Sequence, residues 1–139
     1  MDDETRVKEA NGRFYEALSS QNLAEMETVW LHAPWTKCVH PGWKLIVGWE
    51  KIRESWDNIF RNAGYLRITI SNLEIQIQNE FAWVVCTENI ASAREADYQT
   101  ATAQATNIYH QVKDLWLLVH HHASPVVVND PVEVSQHIQ

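Results

Sequence analysis

Apolar and polar positions change period midway along the chain. Over residues 3–20, Val7, Ala10, Phe14 and Leu18 recur at spacings of three and four, which predicts an amphipathic helix. Asp2 or Asp3 can cap its start, and "SSQN" ends it. Asn22 followed by Glu25 has capping-box spacing and opens a second, short helix with Leu23, Met26 and Trp30 on its apolar face. Pro34 stops further helix. "TKCVH" (36–40) and "LIVG" flank the turn signal "PGWK" (41–44), which predicts a short hairpin. A third helix follows from about Glu50 to Asn62. Ile52, Trp56, Ile59 and Phe60 form its buried stripe, and Gly64 is its expected C-terminal stop.

After Gly64 the period becomes two. "YLRITISNLEIQIQN" alternates, with Leu66, Ile68 and Ile70 in one phase and Leu73, Ile75 and Ile77 in the next. The phase change at "SNL" predicts a bulge or bend. "EFAWVVCTENIASA" is the next strand, turning at Asn79-Glu80, and "EADYQ" is read as a polar loop. "TATAQATNIYHQV" then puts Thr on one side and Ala on the other, and "KD" turns the chain into "LWLLVHHHASPVVV". The order α-α-β-β-α-β-β-β-β segregates helices from long strands. That predicts an α+β fold with an antiparallel meander. One domain over 1–128 and a polar tail over 129–139 account for the chain.

Composition narrows the function. A chain of 139 residues suffices for one packed core, and seven tryptophans suit a deep core, a lined cavity or a sticky interface. Net charge is −7 and basic residues are scattered, which argues against nucleic acid as a partner. The acidic start "MDDETRVKEANGRF" lacks an apolar leader segment, and no run of eighteen apolar residues offers a membrane span. Cys38 and Cys86 have neither redox nor zinc spacing and read as reduced thiols. These features lead to the expectation of a cytoplasmic protein with no membrane partner.

Three stretches together carry a resemblance: "FYEALSSQNLAEMETVW", "HPGWKLIVGWEKIRESWDNIF" and "DLWLLVHHHASP". With them, nearly the whole chain resembles the nuclear transport factor 2-like superfamily, and more closely its SnoaL-like branch. The resemblance implies a cystatin-like cone, in which a curved antiparallel sheet wraps three N-terminal helices. The superfamily includes ketosteroid isomerase, scytalone dehydratase and limonene epoxide hydrolase. It also includes the association domain of a calcium/calmodulin-dependent kinase, so the fold does not settle the activity.

His40-Pro41 falls where ketosteroid isomerase has an Asp-Pro whose carboxylate is the general base. A histidine is also a competent base, though it equally serves to tie down a turn. The isomerase's helix-one tyrosine falls on or beside Phe14 here, with Tyr15 one residue and 100° of helix away. Asn107 is the nearest match to its strand aspartic acid, and an amide can donate a hydrogen bond but is no acid.

Strict alternation along the last strand puts Trp116, Leu118, His120 and His122 on one face and Leu117, Val119, His121 and Ala123 on the other. With Trp116 taken as inward, His120 and His122 point into the cone and His121 points to a partner or solvent. The H-x-H pair can line a pocket with Glu88, Asn107 and Ser124. It is also a spacing compatible with one metal ion, which needs a further ligand from His40 or Glu88. Closed metal sites use three or four ligands, so no metal and no organic cofactor are expected.

The expectation is a homodimer through the convex sheet face that binds a small apolar molecule. Trp43, Trp56 and Trp116 would wall the pocket, and Tyr15, Glu88 and His120 would contact the ligand. If catalytic, it is a cofactor-independent isomerase, dehydratase or hydrolase, with His40 as base and Asn107 or His122 steadying an oxyanion. The alternative is a non-catalytic dimerisation module with a vestigial pocket.

Overall fold

The computed structural model describes residues 2–127. Helix α1 (Asp3–Ser20) starts where Asp2 accepts a hydrogen bond from the Thr5 N–H at 2.8 Å. It ends at Gln21, which adopts a left-handed φ of 54°. Helix α2 (Leu23–Val29) begins with the expected cap, the Asn22 side chain accepting from the Glu25 N–H at 3.0 Å. The hairpin follows as β1 (Lys37–Val39) and β2 (Ile46–Val47), then α3 (Trp49–Asn62). Four long strands complete the order: β3 (Tyr65–Gln78), β4 (Phe81–Arg94), β5 (Asp97–Val112) and β6 (Leu115–Pro125).

The six strands form one sheet in the order β2-β1-β6-β5-β4-β3. The meander is antiparallel as expected, but β1 joins β6 in parallel, so the sheet is mixed. The fold is the α+β cone, with a curved sheet left open between its β2 and β3 edges. Its inner face carries the small buried residues Ala82, Ala103, Ala105 and Ala123, and α1 makes its closest backbone approach to β3. Val7, Phe14, Ile52, Trp56, Val84, Tyr109 and Leu118 fill the space between.

Three local expectations change. Helix α3 is capped at Ala63, and Gly64 is no left-handed stop. A Cβ there would lie 2.4 Å from the Ala93 carbonyl oxygen, so glycine is required by the close approach of β4. "EADYQ" is not a loop: the turn is only Glu95 and Ala96, and β5 begins at Asp97. Strand β6 ends at Pro125, short of Val126 and Val127, and Val128 and the 129–139 tail lie outside the described residues. The bulge read at "SNL" is present, with the β3–β4 register shifting between Ser71 and Glu74 and Asn72 at φ 54°.

Candidate active site

A second bulge decides which histidines face inward. Along β5 and β6, Ile108 pairs with His120, but the next residue, Tyr109, pairs with Leu118. Val119 is the extra residue, and it reverses the alternation beyond it. Leu118, Val119, His121 and Ala123 are all buried, while His122 is exposed and His120 only half-buried. The expected assignment is therefore inverted: His121 points into the cone, and His120 and His122 lie on the outer face. Neither can contact an interior ligand or join His40 or Glu88 around a metal. Among the described residues, no group of three His, Cys, Asp or Glu side chains is placed to hold one. The convex set of Leu117, Val119, His121 and Ala123 likewise dissolves, leaving Leu117 with His120 and His122 outside.

His40 immediately follows β1, whose Cys38 pairs with His121 across the parallel β1–β6 ladder. Both imidazoles are buried, with ring centroids 6.5 Å apart. Trp56 touches both, at 4.5 Å from His40 and 6.1 Å from His121. Phe14 packs on His121 at 4.8 Å, and Trp43 stands edge-on to His40 at 4.8 Å. Trp43 and Trp56 thus both pack directly on the His40 ring. Trp116 is buried, but five residues of strand, about 16 Å, separate it from His121. It belongs to the core near the β5–β6 turn rather than to this site.

Hydrogen bonds fix the protons on both rings. Ser55 on α3 donates its hydroxyl proton to the Ile52 carbonyl at 2.6 Å. A hydroxyl has one proton to give, so at the 2.8 Å contact His40 Nε2 must donate to Ser55 Oγ. The unprotonated Nδ1 faces the Cys38 thiol, which can donate to it at 3.8 Å. Burial drives the His40 pKa down to about 4, so the ring is neutral. His121 Nδ1 lies 2.5 Å from Asn107 Oδ1, an acceptor, so Nδ1 carries its proton. Its Nε2 has no hydrogen-bond partner among the described residues. Burial, reinforced by His40, holds the His121 pKa well below the ordinary value.

Asn107 anchors a buried network. Its amide nitrogen donates to Asn11 Oδ1 at 3.0 Å and to Tyr15 Oη at 3.1 Å. Tyr109 donates to the same Asn11 oxygen at 2.9 Å. Tyr15 donates to Glu88 Oε2 at 2.7 Å, with the Cys86 sulfur 3.4 Å away. Burial raises the Glu88 pKa, opposed by the Tyr15 hydrogen bond. Burial first, then the Glu88 charge, raises the Tyr15 hydroxyl and the Cys38 thiol. Tyr15 does turn inward, despite its one-residue offset. Asn107 cannot steady an oxyanion, because both its N–H groups and its carbonyl are already engaged. The role expected of Asn107 or His122 is thus open to neither.

Sequence reasoning missed Asn11, Ser55 and the inward His121. Asn11 and Ser55 left a signal: each is a polar residue inside a buried helical stripe, beside Ala10 and Phe14 and beside Ile52 and Trp56. The Val119 bulge left none.

Two of the larger clefts lie outside this cluster. One of about 750 Å³ runs between Arg67, Thr102 and Val126, and another of about 630 Å³ lies along α3. The second is bordered by Trp43, Lys51 and Glu54, and it reaches Ser55, the partner of His40.

Residues 7–128 match the SnoaL-like domain. The chain belongs to this family. A curated relative, the F-box protein SKIP8 of Arabidopsis thaliana, is 22% identical over 120 residues. That match covers 86% of this chain and 49% of the plant protein, so the SnoaL-like chain spans about half its relative's length. Among solved structures, a candidate dehydratase of the NTF2-like family from Streptomyces avermitilis is 29% identical, with a TM-score of 0.85 over 91% of this chain and 97% of that one. A candidate calcium/calmodulin-dependent protein kinase type II association domain from Thiobacillus denitrificans is 27% identical, with a TM-score of 0.77 over 85% and 93%. An NTF2-like protein from Salmonella enterica shares the fold at 16% identity, with a TM-score of 0.82 over 93% and 94%.

Proposed function

We propose that this SnoaL-like domain binds a small, largely apolar molecule against His40 and His121 and acts on it by acid–base chemistry without an organic cofactor. The observation that carries this is the His40 geometry: a neutral imidazole, held by Ser55 in an aromatic enclosure, with Nδ1 unprotonated beside the Cys38 thiol. Such a group takes a proton from a substrate carbon or hydroxyl and returns it, which serves isomerisation, dehydration or hydrolysis. Tyr15 and Glu88 form the hydrogen-bonded pair on the other side of Asn107, and burial raises the pKa of both. The cleft along α3 is the approach, and Trp43 stands between it and His40. The likeness to a candidate dehydratase supports this reading.

The domain is also proposed to pair with a second copy through its outer sheet face, where Phe81, Trp83, Ile108 and Leu117 leave apolar surface uncovered. The buried, unbridged Cys38 and Cys86 support a reducing, cytoplasmic setting. Among the described residues, no helix is long and apolar enough to cross a membrane.

One observation favours the second reading, a non-catalytic association module: Trp56, Phe14 and Met26 fill the cone tightly. Native mass spectrometry of the purified protein discriminates between the two. A small molecule retained by the wild type and lost from His40→Gln supports the binding site. A ligand-free protein that assembles normally supports the module.

A further inference from the structure

The cleft of about 750 Å³ lies on the outer face of the sheet, and strand register builds it. On β4, Cys86 and Glu88 are buried on the inner face, so Asn89 and Ala91 turn outward. Asn89 pairs with Thr69 on β3 and with Thr102 on β5, while Ala91 pairs with Arg67 and Thr100. The six residues form two adjacent rows across three strands, and all of them line the cleft. Alanine between Arg67 and Thr100 leaves the middle of its row open. Arg67 is the only charged residue of the lining, in a chain of net charge −7. Among the described residues it forms no ion pair. The Asn89 amide nitrogen donates to Ser71 Oγ at 3.1 Å and to the Thr69 carbonyl at 3.4 Å. Those bonds hold the amide and leave its Oδ1 without a partner among the described residues.

We infer that this outer cleft binds a small polyhydroxylated compound with one anionic group, of the sugar-phosphate or sugar-acid kind. Arg67 takes the anionic group through its planar fork of N–H donors. Asn89 Oδ1 accepts from a ligand hydroxyl, and the three threonine hydroxyls each donate or accept. A cationic ligand would meet Arg67 with no carboxylate in the lining to balance it. An apolar ligand would cover hydroxyl and amide groups and leave them unpaired. The volume falls within the range of small-molecule sites, about 300–1,000 Å³. This site is separate from those proposed above. His40 and His121 lie on the inner side of the sheet, and six residues of β4, about 20 Å, separate Asn89 from Trp83 on the pairing face.

The test titrates the full chain with glucose 6-phosphate, gluconate, glucose and inorganic phosphate, following the side-chain ¹H–¹⁵N signals of Arg67 and Asn89. At least one of the first two should move both signals. It should bind about tenfold more tightly than glucose or inorganic phosphate, the gain from one charge-assisted hydrogen bond. Which of the two binds separates phosphate from carboxylate. Arg67→Gln should weaken that probe about tenfold, with the His40 signals and the urea midpoint unchanged. Equal binding of inorganic phosphate would mark an adventitious ion only and overturn the inference. Equal binding of glucose, full binding by Arg67→Gln, or no response from either anionic probe would overturn it too. Each of these results leaves the His40 reading standing, because the probes are read on the opposite face of the sheet.

Discussion

His121 and Asn107 are directly opposed across β5 and β6, and the imidazole donates from Nδ1 to the amide oxygen at 2.5 Å. This pair joins the histidine side of the interior to the Tyr15–Glu88 side. Removing Asn107 strands His121 Nδ1 and takes one hydrogen bond each from Asn11 Oδ1 and the Tyr15 hydroxyl, which keep Tyr109 and Glu88 as partners. Asn107→Leu should therefore cost roughly 3–5 kcal/mol, read as a lowered denaturation midpoint in urea. A loss under 1 kcal/mol would mean that the network is not formed.

The Val119 bulge makes the neighbouring histidines unequal. His121→Ala should destabilise by about 2 kcal/mol or more, because it opens a cavity and unpairs Asn107. His122→Ala should change stability by no more than about 0.5 kcal/mol, as an exposed substitution does. Thermal melts of the two variants check this, and a reversed order would return the inward face to His122.

Acid should destabilise the fold in a defined window. His40 has a pKa of about 4 when folded, against 6.5 for a free histidine. Below 6.5 the unfolded chain takes up a proton that the folded chain refuses. The stability due to neutral burial is thus complete above 6.5 and is lost as pH falls towards 4. From this shift His40 alone contributes about 3 kcal/mol across the window, and His121 acts in the same direction. Denaturant titrations at pH 7 and pH 4.5 should show the decline, and it should shrink in His40→Gln.

Gly64→Ala tests the reason given for that glycine. Because the added Cβ meets backbone at 2.4 Å, the β3–β4 ladder has to shift near Ala93, at about 1–3 kcal/mol. Hydrogen exchange should accelerate at that end of β3 and β4. A neutral outcome would show that the approach can relax.

Much of the fold was legible because it rests on period. The spacing of Val7, Ala10, Phe14 and Leu18 and the alternation of Leu66, Ile68 and Ile70 each fixed an element. So did the Asn22 cap and the phase change at "SNL". The site was legible only in part. His40, Trp43 and Trp56 were found through the turn and the helical stripe that place them. The inward histidine was misassigned because Val119 is as apolar as its neighbours. A bulge between apolar residues leaves no phase change in hydrophobicity, unlike Asn72, which interrupts a run of isoleucines. Asn107 was found as a residue, but its saturation depends on Asn11 and Tyr15, more than 90 positions away in sequence.

The central claim is that His40 is a neutral base whose Nδ1 faces the interior unprotonated. Long-range ¹H–¹⁵N correlation of the side-chain nitrogens, followed from pH 8 to pH 3.5, measures this directly. The account predicts the proton on Nε2, none on Nδ1 and titration near pH 4, with Ser55→Ala releasing the ring to a mixture of tautomers. A proton on Nδ1, or titration near 6.5, would contradict it.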